Sequence, residues 1–149
     1  MSGGLVMELT PARVCLAPGP GTRVTFTCSY RSSQRLDIQF DTSHAFTPET
    51  RVLAHELDTV KDVTSRHNWG ATRRWTRVLG PDVRMVTCRL TNVAGVTVGQ
   101  LHARVYSGDL YSVYICKLTI LRFSLIFFLL MYCACYLSFF TKYFSISLT

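Results

Sequence analysis

The chain has 149 residues, 48% of them apolar, with six cysteines and a formal net charge of +7. That is room for one domain of about 100 residues and an appendage. The charge does not describe one basic surface: thirteen of the 16 Lys and Arg and all 9 acids precede Leu110, giving 13 − 9 = +4 there, and only Lys117, Arg122 and Lys142 follow.

Met1 to Thr10 has neither the basic start nor the apolar core of about 7–15 residues that marks a secretory signal. Residues 1–10 are expected to be a disordered or truncated N-terminus, as in a fragment of a longer chain or an incomplete gene product. Pro11 to Ala17 reads as an edge strand, where the missing donor of a proline is tolerated. Pro18-Gly19-Pro20-Gly21 is a turn signal. Thr22 to Tyr30 alternates Val24, Phe26 and Cys28 against Thr25 and Thr27, the period-two pattern of a half-buried strand. Ser29 to Arg35 is a polar loop, and Leu36 to Asp41 is a short strand with Ile38 and Phe40 on one face.

Thr42 to Ala71 carries weaker signals. Arg51 to Leu57 fits a strand or a short helical turn, and Asp58 to Gly70 reads as loop and sheet edge. Ala71 to Arg77 is a strand containing Trp75. Gly80-Pro81-Asp82 marks a corner, after which Val83, Met85 and Thr87 alternate with Arg84, Val86 and Cys88. Asn92 and Gly95 stand where the next turn needs residues tolerant of positive φ. Val96 to Tyr106 is the last strand, with Leu101, Ala103 and Val105 on one face.

Two separated stretches carry a resemblance. Asp82 lies six residues before Cys88, Cys88-x-x-x-Asn92-x-x-Gly95 follows, and Cys28 closes GTRVTFTC 60 residues earlier. This resembles an immunoglobulin-like domain of the intermediate set, covering residues 11–106, with a weaker likeness to modules of basement-membrane proteoglycans of the perlecan type or of cell-adhesion receptors. The resemblance implies an all-β, immunoglobulin-like two-sheet sandwich with a Cys28–Cys88 disulfide. It implies a core of Val24, Phe26, Phe40, Trp75, Val78, Val86 and Leu101, and a corner at Asp82 paired with an arginine, Arg51 or one of several others. Phe40 stands where the family has tryptophan, keeping apolar burial but losing the indole donor. Val86 stands where it has the tyrosine of the corner, and Arg73 where it prefers leucine, so Arg73 must reach solvent or find an acid. Cys15, Cys116, Cys133 and Cys135 have no metal-site spacing and are expected to be unpaired thiols.

Residues 107–122 read as a linker. Phe123 to Phe140 carries no charge and would span about 27 Å as a helix, near the thickness of a bilayer core. A hydrophobic C-terminal transmembrane helix over 123–140 is expected, with Arg122 and Lys142 as flanking anchors and 141–149 as a short tail. The abrupt change of composition near Ser107 equally fits translated non-coding sequence.

No enzyme, metal or cofactor is expected. His44, His55, His67 and His102 are scattered, there is no Gly-x-Ser-x-Gly or Cys-His constellation, and Gly19-x-Gly21 precedes a strand. Arg66, His67 and Arg74 form the candidate polyanion contact, with a solvated strand edge as the plainer reading; nucleic acid is not expected, for want of a stacking platform. The function expected is a non-enzymatic binding or spacer module of an extracellular matrix or cell-adhesion protein, contacting protein or sulfated glycosaminoglycan, extracellular or held by a single pass at the plasma membrane. The alternative is an intracellular structural module of a muscle-type giant protein with reduced cysteines.

Overall fold

The computed structural model describes residues 4–16, 19, 21–107 and 110–147. Two compact units divide the chain, 1–113 and 114–149. The first is built of strands β1 (Val6–Thr10), β2 (Arg13–Cys15), β3 (Thr22–Ser32), β4 (Asp37–His44), β5 (Thr50–Arg51), β6 (Asp58–Thr64), β7 (Trp69–Leu79), β8 (Val83–Thr91) and β9 (Thr97–Tyr106), with one 3₁₀ turn at Ala54–Glu56. Helix α1 runs Leu110–Ser147.

The strands form a four-stranded sheet in the order β1-β3-β7-β6 and a five-stranded sheet in the order β2-β9-β8-β4-β5. All pairings are antiparallel except that of β2 with β9. The chain moves from the first sheet to the second at Pro11, where the Thr10–Pro11 peptide bond is cis.

The core lies between the sheets, because alternation gives each strand one apolar face. Leu9, Phe26, Cys28 and Trp75 come from the four-stranded sheet; Phe40, Val86, Cys88 and Ala103 meet them from the other. Cys28 and Cys88 form a disulfide that joins the two sheets, with a Cα–Cα distance of 6.4 Å. Around it the Trp75 ring lies 6.0 Å from that of Phe26 and 6.1 Å from that of Phe40. Buried Tyr30 ties the β3–β4 loop: its hydroxyl donates to the Leu36 carbonyl at 2.7 Å and accepts from the Leu36 amide at 3.0 Å.

Several expectations are corrected. Residues 6–10, expected to be disordered or truncated, are strand β1, paired with β3 from Val6↔Arg31 to Thr10↔Thr27. Of the edge strand expected from Pro11 to Ala17 the described residues give Arg13–Cys15, Ala17 lying outside them, while the stretch expected as loop and sheet edge from Asp58 contributes a seven-residue edge strand. Val78, expected in the core, is 53% exposed, and Leu79 is buried instead. The physical reason is parity: β7 runs unbroken to Leu79, so residues 75 and 79 share a face and 78 takes the other. Val24 and Leu101 are partly buried against the core, whereas Phe26, Phe40, Trp75 and Val86 are fully enclosed.

Cys15 and Cys116 are disulfide-bonded, which corrects the expectation of unpaired thiols for both; Cys133 and Cys135 are free and exposed. The helix begins at Leu110, so most of the stretch expected as linker over 107–122 is helical. Within α1, Leu125–Ser145 is long and apolar enough to cross a membrane and is not buried within the protein. At 1.5 Å per residue that segment reaches about 31 Å, a bilayer core's thickness. The hydroxyls of Ser138 and Thr141 donate to helix carbonyls of Cys135 and of Leu137 or Ser138, so neither carries an unpaired donor into that setting.

Candidate functional site

The residues predicted for the β8–β9 turn and the corner do local work. Gly95 has φ +79°, the left-handed region that a side chain disfavours. The Asn92 side-chain oxygen accepts from the amides of Ala94 and Val96, at 3.0 and 2.9 Å, and fixes the turn. At the opposite end of the sandwich Asp82 does not pair with Arg51. Its partner is His44, whose Nδ1 donates to Oδ2 at 2.9 Å; Arg51 is drawn to Asp41, its register partner across β4 and β5. That hydrogen bond from His44 lowers the Asp82 pKa below the usual carboxylate value.

His44 also meets the Thr42 hydroxyl through Nε2 at 3.1 Å. Thr42 is buried and its hydroxyl reaches the Thr50 carbonyl as well, so this chain of contacts ties β4 to the β5 edge and to the corner. Nearby, Glu56 accepts from the Trp75 indole at 3.4 Å and from Arg77 at 3.3 Å. A cleft of about 520 Å³ opens here between Arg51, Glu56, Arg77 and Asp82. Among the described residues, no three His, Cys, Asp or Glu side chains converge as a metal site would need.

The candidate polyanion residues do not form one cluster. Arg66 and His67 are exposed in the turn between β6 and β7, which is closed by Ser65 and Asn68. Arg74 is on β7, five residues beyond its start, about 17 Å along the strand. It faces outward, 49% exposed, with Asp58 at 3.8 Å. Arg73 points the other way and finds its acid in Asp62 at 2.6 Å.

The structure fills the gap between Arg66 and Arg74 with residues that sequence reasoning missed. Arg31 of β3 pairs in register with Gly70, and Lys61 of β6 with Thr72, so both stand on the same outer face as Arg74. Both are exposed, as is Arg23 further along β3. Glu8 and Asp58 are the acids on that face. Gly70 leaves a hollow at its centre: a Cβ there would lie 3.0 Å from the Tyr30 carbonyl oxygen. The resulting trough, about 230 Å³, is bordered by Glu8, Ser29, Arg31, Lys61 and Thr72. The signal that could have found Arg31 and Lys61 is strand parity once β6 is recognised as a strand.

Exposed cations so arranged attract anions weakly at each contact, by about 1 kcal/mol at 4 Å in bulk water, and salt screens the attraction within about 10 Å at 0.1 M. The chemistry available is therefore diffuse, salt-sensitive binding along a face. No protein-family model matches this chain, and no curated protein matches it.

Proposed function

We propose that the first unit is an immunoglobulin-like sandwich of the intermediate set, serving as a non-enzymatic extracellular binding module held at a membrane by α1. The observation that carries this reading is the buried Cys28–Cys88 cystine joining strands β3 and β8 of the two sheets. Disulfides of this kind persist in oxidising compartments. The apolar segment Leu125–Ser145 supports the membrane attachment.

The partner is a polyanion, a sulfated glycosaminoglycan in the first instance, lying on the outer face of the four-stranded sheet. Arg31, Lys61 and Arg74 occupy successive outward levels of that face, with Arg66 and His67 at its end. Retention of the detergent-solubilised full chain on immobilised heparin tests the partner. Elution between about 0.2 and 0.5 M salt is expected, and a chain carrying Arg31→Ala, Lys61→Ala and Arg74→Ala should elute markedly earlier. Passage of the unmodified chain straight through at low salt removes the polyanion reading. Thiol titration of the native protein tests the compartment: free Cys28 and Cys88 would return the module to the intracellular, muscle-type reading.

A further inference from the structure

A further hollow opens on the flank of the sandwich, where the start of β4 meets the ends of β6 and β7 nearest their turn. It encloses about 390 Å³, within the range of about 300–1,000 Å³ that small-ligand sites occupy. Its floor is Tyr30, Leu36 and Ala71, which pack together. The floor asks for no polar partner, because the Tyr30 hydroxyl already donates to the Leu36 carbonyl and accepts from the Leu36 amide. Trp69 borders the hollow at the turn; it packs on the same cluster and stays partly exposed.

The walls carry two sets of one donor and one acceptor. On the β6–β7 side Arg73 holds Asp62 at 2.6 Å; the two side chains are 26% and 54% exposed, so the pair is fixed in place yet reachable. On the β4 side stand Arg35 and Asp37, to either side of buried Leu36 and both exposed. Among the described residues, neither of these two makes an ion pair or a side-chain hydrogen bond. Two guanidinium groups and two carboxylates leave the hollow with no net charge.

We propose that this hollow binds a neutral hexose unit of a glycan. A sugar ring has a face of C–H groups and a rim of hydroxyls, each able to donate and to accept. The part-open indole of Trp69 suits the face. The two guanidinium–carboxylate sets suit neighbouring hydroxyls, the guanidinium donating to one and the carboxylate accepting from the next. A sulfated unit would instead bring its charge against Asp37 and Asp62. A purely apolar ligand would strip water from four charged groups and return nothing. The site is therefore separate in chemistry from the polyanion contact, and separate in place: Arg31, Lys61 and Arg74 are on the outer face of the sheet. A single hexoside of about twelve non-hydrogen atoms, bound with ordinary efficiency, half-saturates such a site at about a millimolar.

The test is titration of the full chain, solubilised in a detergent without a sugar headgroup, with the methyl glycosides of glucose, galactose, mannose and N-acetylglucosamine. Tryptophan fluorescence is the readout: of the two tryptophans Trp75 is enclosed, so a change reports on Trp69. At least one hexoside should give a saturable change at about a millimolar. Arg35→Ala and Asp37→Ala should each weaken it at least tenfold, and both positions are exposed, so the urea midpoint should hold. Arg74→Ala, or heparin added at low salt, should leave the hexoside titration unchanged. A chain that passes through the heparin resin yet binds the hexoside sinks the polyanion reading alone. No saturation by any of the four, or equal binding by the Arg35→Ala and Asp37→Ala chains, overturns the proposal. So does displacement of the hexoside by heparin, or saturation by glycinamide or N-acetylglycine in place of the sugars, which would assign the hollow to a peptide terminus.

Discussion

Removing the inter-sheet cystine is the most direct assay of what holds the first unit together. The Cys28–Cys88 bond closes a loop with a sequence separation of 60. In chain-entropy terms the lost constraint is about 14 cal/mol/K, or roughly 4 kcal/mol at 25 °C, falling on the unfolded chain. Both sulfurs are fully buried beneath Trp75, so a Cys28→Ala, Cys88→Ala chain also leaves a small void. Total stability of a domain this size is about 5–15 kcal/mol, so the double variant should remain folded in the cold but sit close to threshold. Urea unfolding followed by tryptophan fluorescence measures it. Trp69 and Trp75 are the chain's two tryptophans and both lie on β7, so the signal comes from the sheets and not from α1. With a slope of about 1–3 kcal/mol/M, the midpoint should fall by about 1.5–4 M. A loss below about 1 kcal/mol would refute the reasoning, because the sheets would then be held without the crosslink.

The parity of β7 is tested by a pair of truncations: Leu79→Ala should cost about 2–4 kcal/mol and Val78→Ala under about 0.5, read from the same urea curves. Gly95→Ala has free space around the new methyl group, so its cost is conformational alone, about 1 kcal/mol, and Asn92→Ala should lose a similar amount with the turn's two amide contacts. Asp82 has a lowered pKa in the folded chain, so its contribution is present above its unfolded pKa and is lost as pH falls through the folded value. Thermal midpoints should therefore drop as pH goes below about 4, and His44→Ala should flatten that part of the profile; an unchanged profile would contradict the hydrogen bond's role.

The cysteine framework was legible through the resemblance, in the spacing of Asp82, Cys88, Asn92 and Gly95 and in Cys28 sixty residues earlier, and Asn92 and Gly95 mark a turn by their chemistry. Phe40 was placed against the cystine by the resemblance, at the position where the family has tryptophan. Val78 was misplaced because its inward place was carried over from the family pattern, four residues before Asp82; three residues past Trp75 in an unbroken strand it falls on the opposite face. Strand β1 was hidden because VMELT shows only one enclosed residue, Leu9, and draws its order from pairing with β3. Strand β6 was hidden for a like reason, since all seven of its residues are exposed and no apolar period marks it. The bonding of Cys15 and Cys116 leaves no local pattern in the sequence. Neither do the neighbours of Asp41: an aspartate enclosed on an outward sheet face looks, in sequence, like any solvated one.

The margin formed by β6 has a consequence for how copies of the protein behave when concentrated. Its unpaired backbone groups would offer a template for endless growth were the strand flat and apolar. Instead Asp58, Lys61 and Asp62 line it, and the register slips between Thr59 and Lys61, kinking it at Val60. Alignment with an identical margin in antiparallel fashion sets Lys61 against Lys61, or Asp62 against Asp62. Fibre-like polymerisation through this rim is thereby disfavoured.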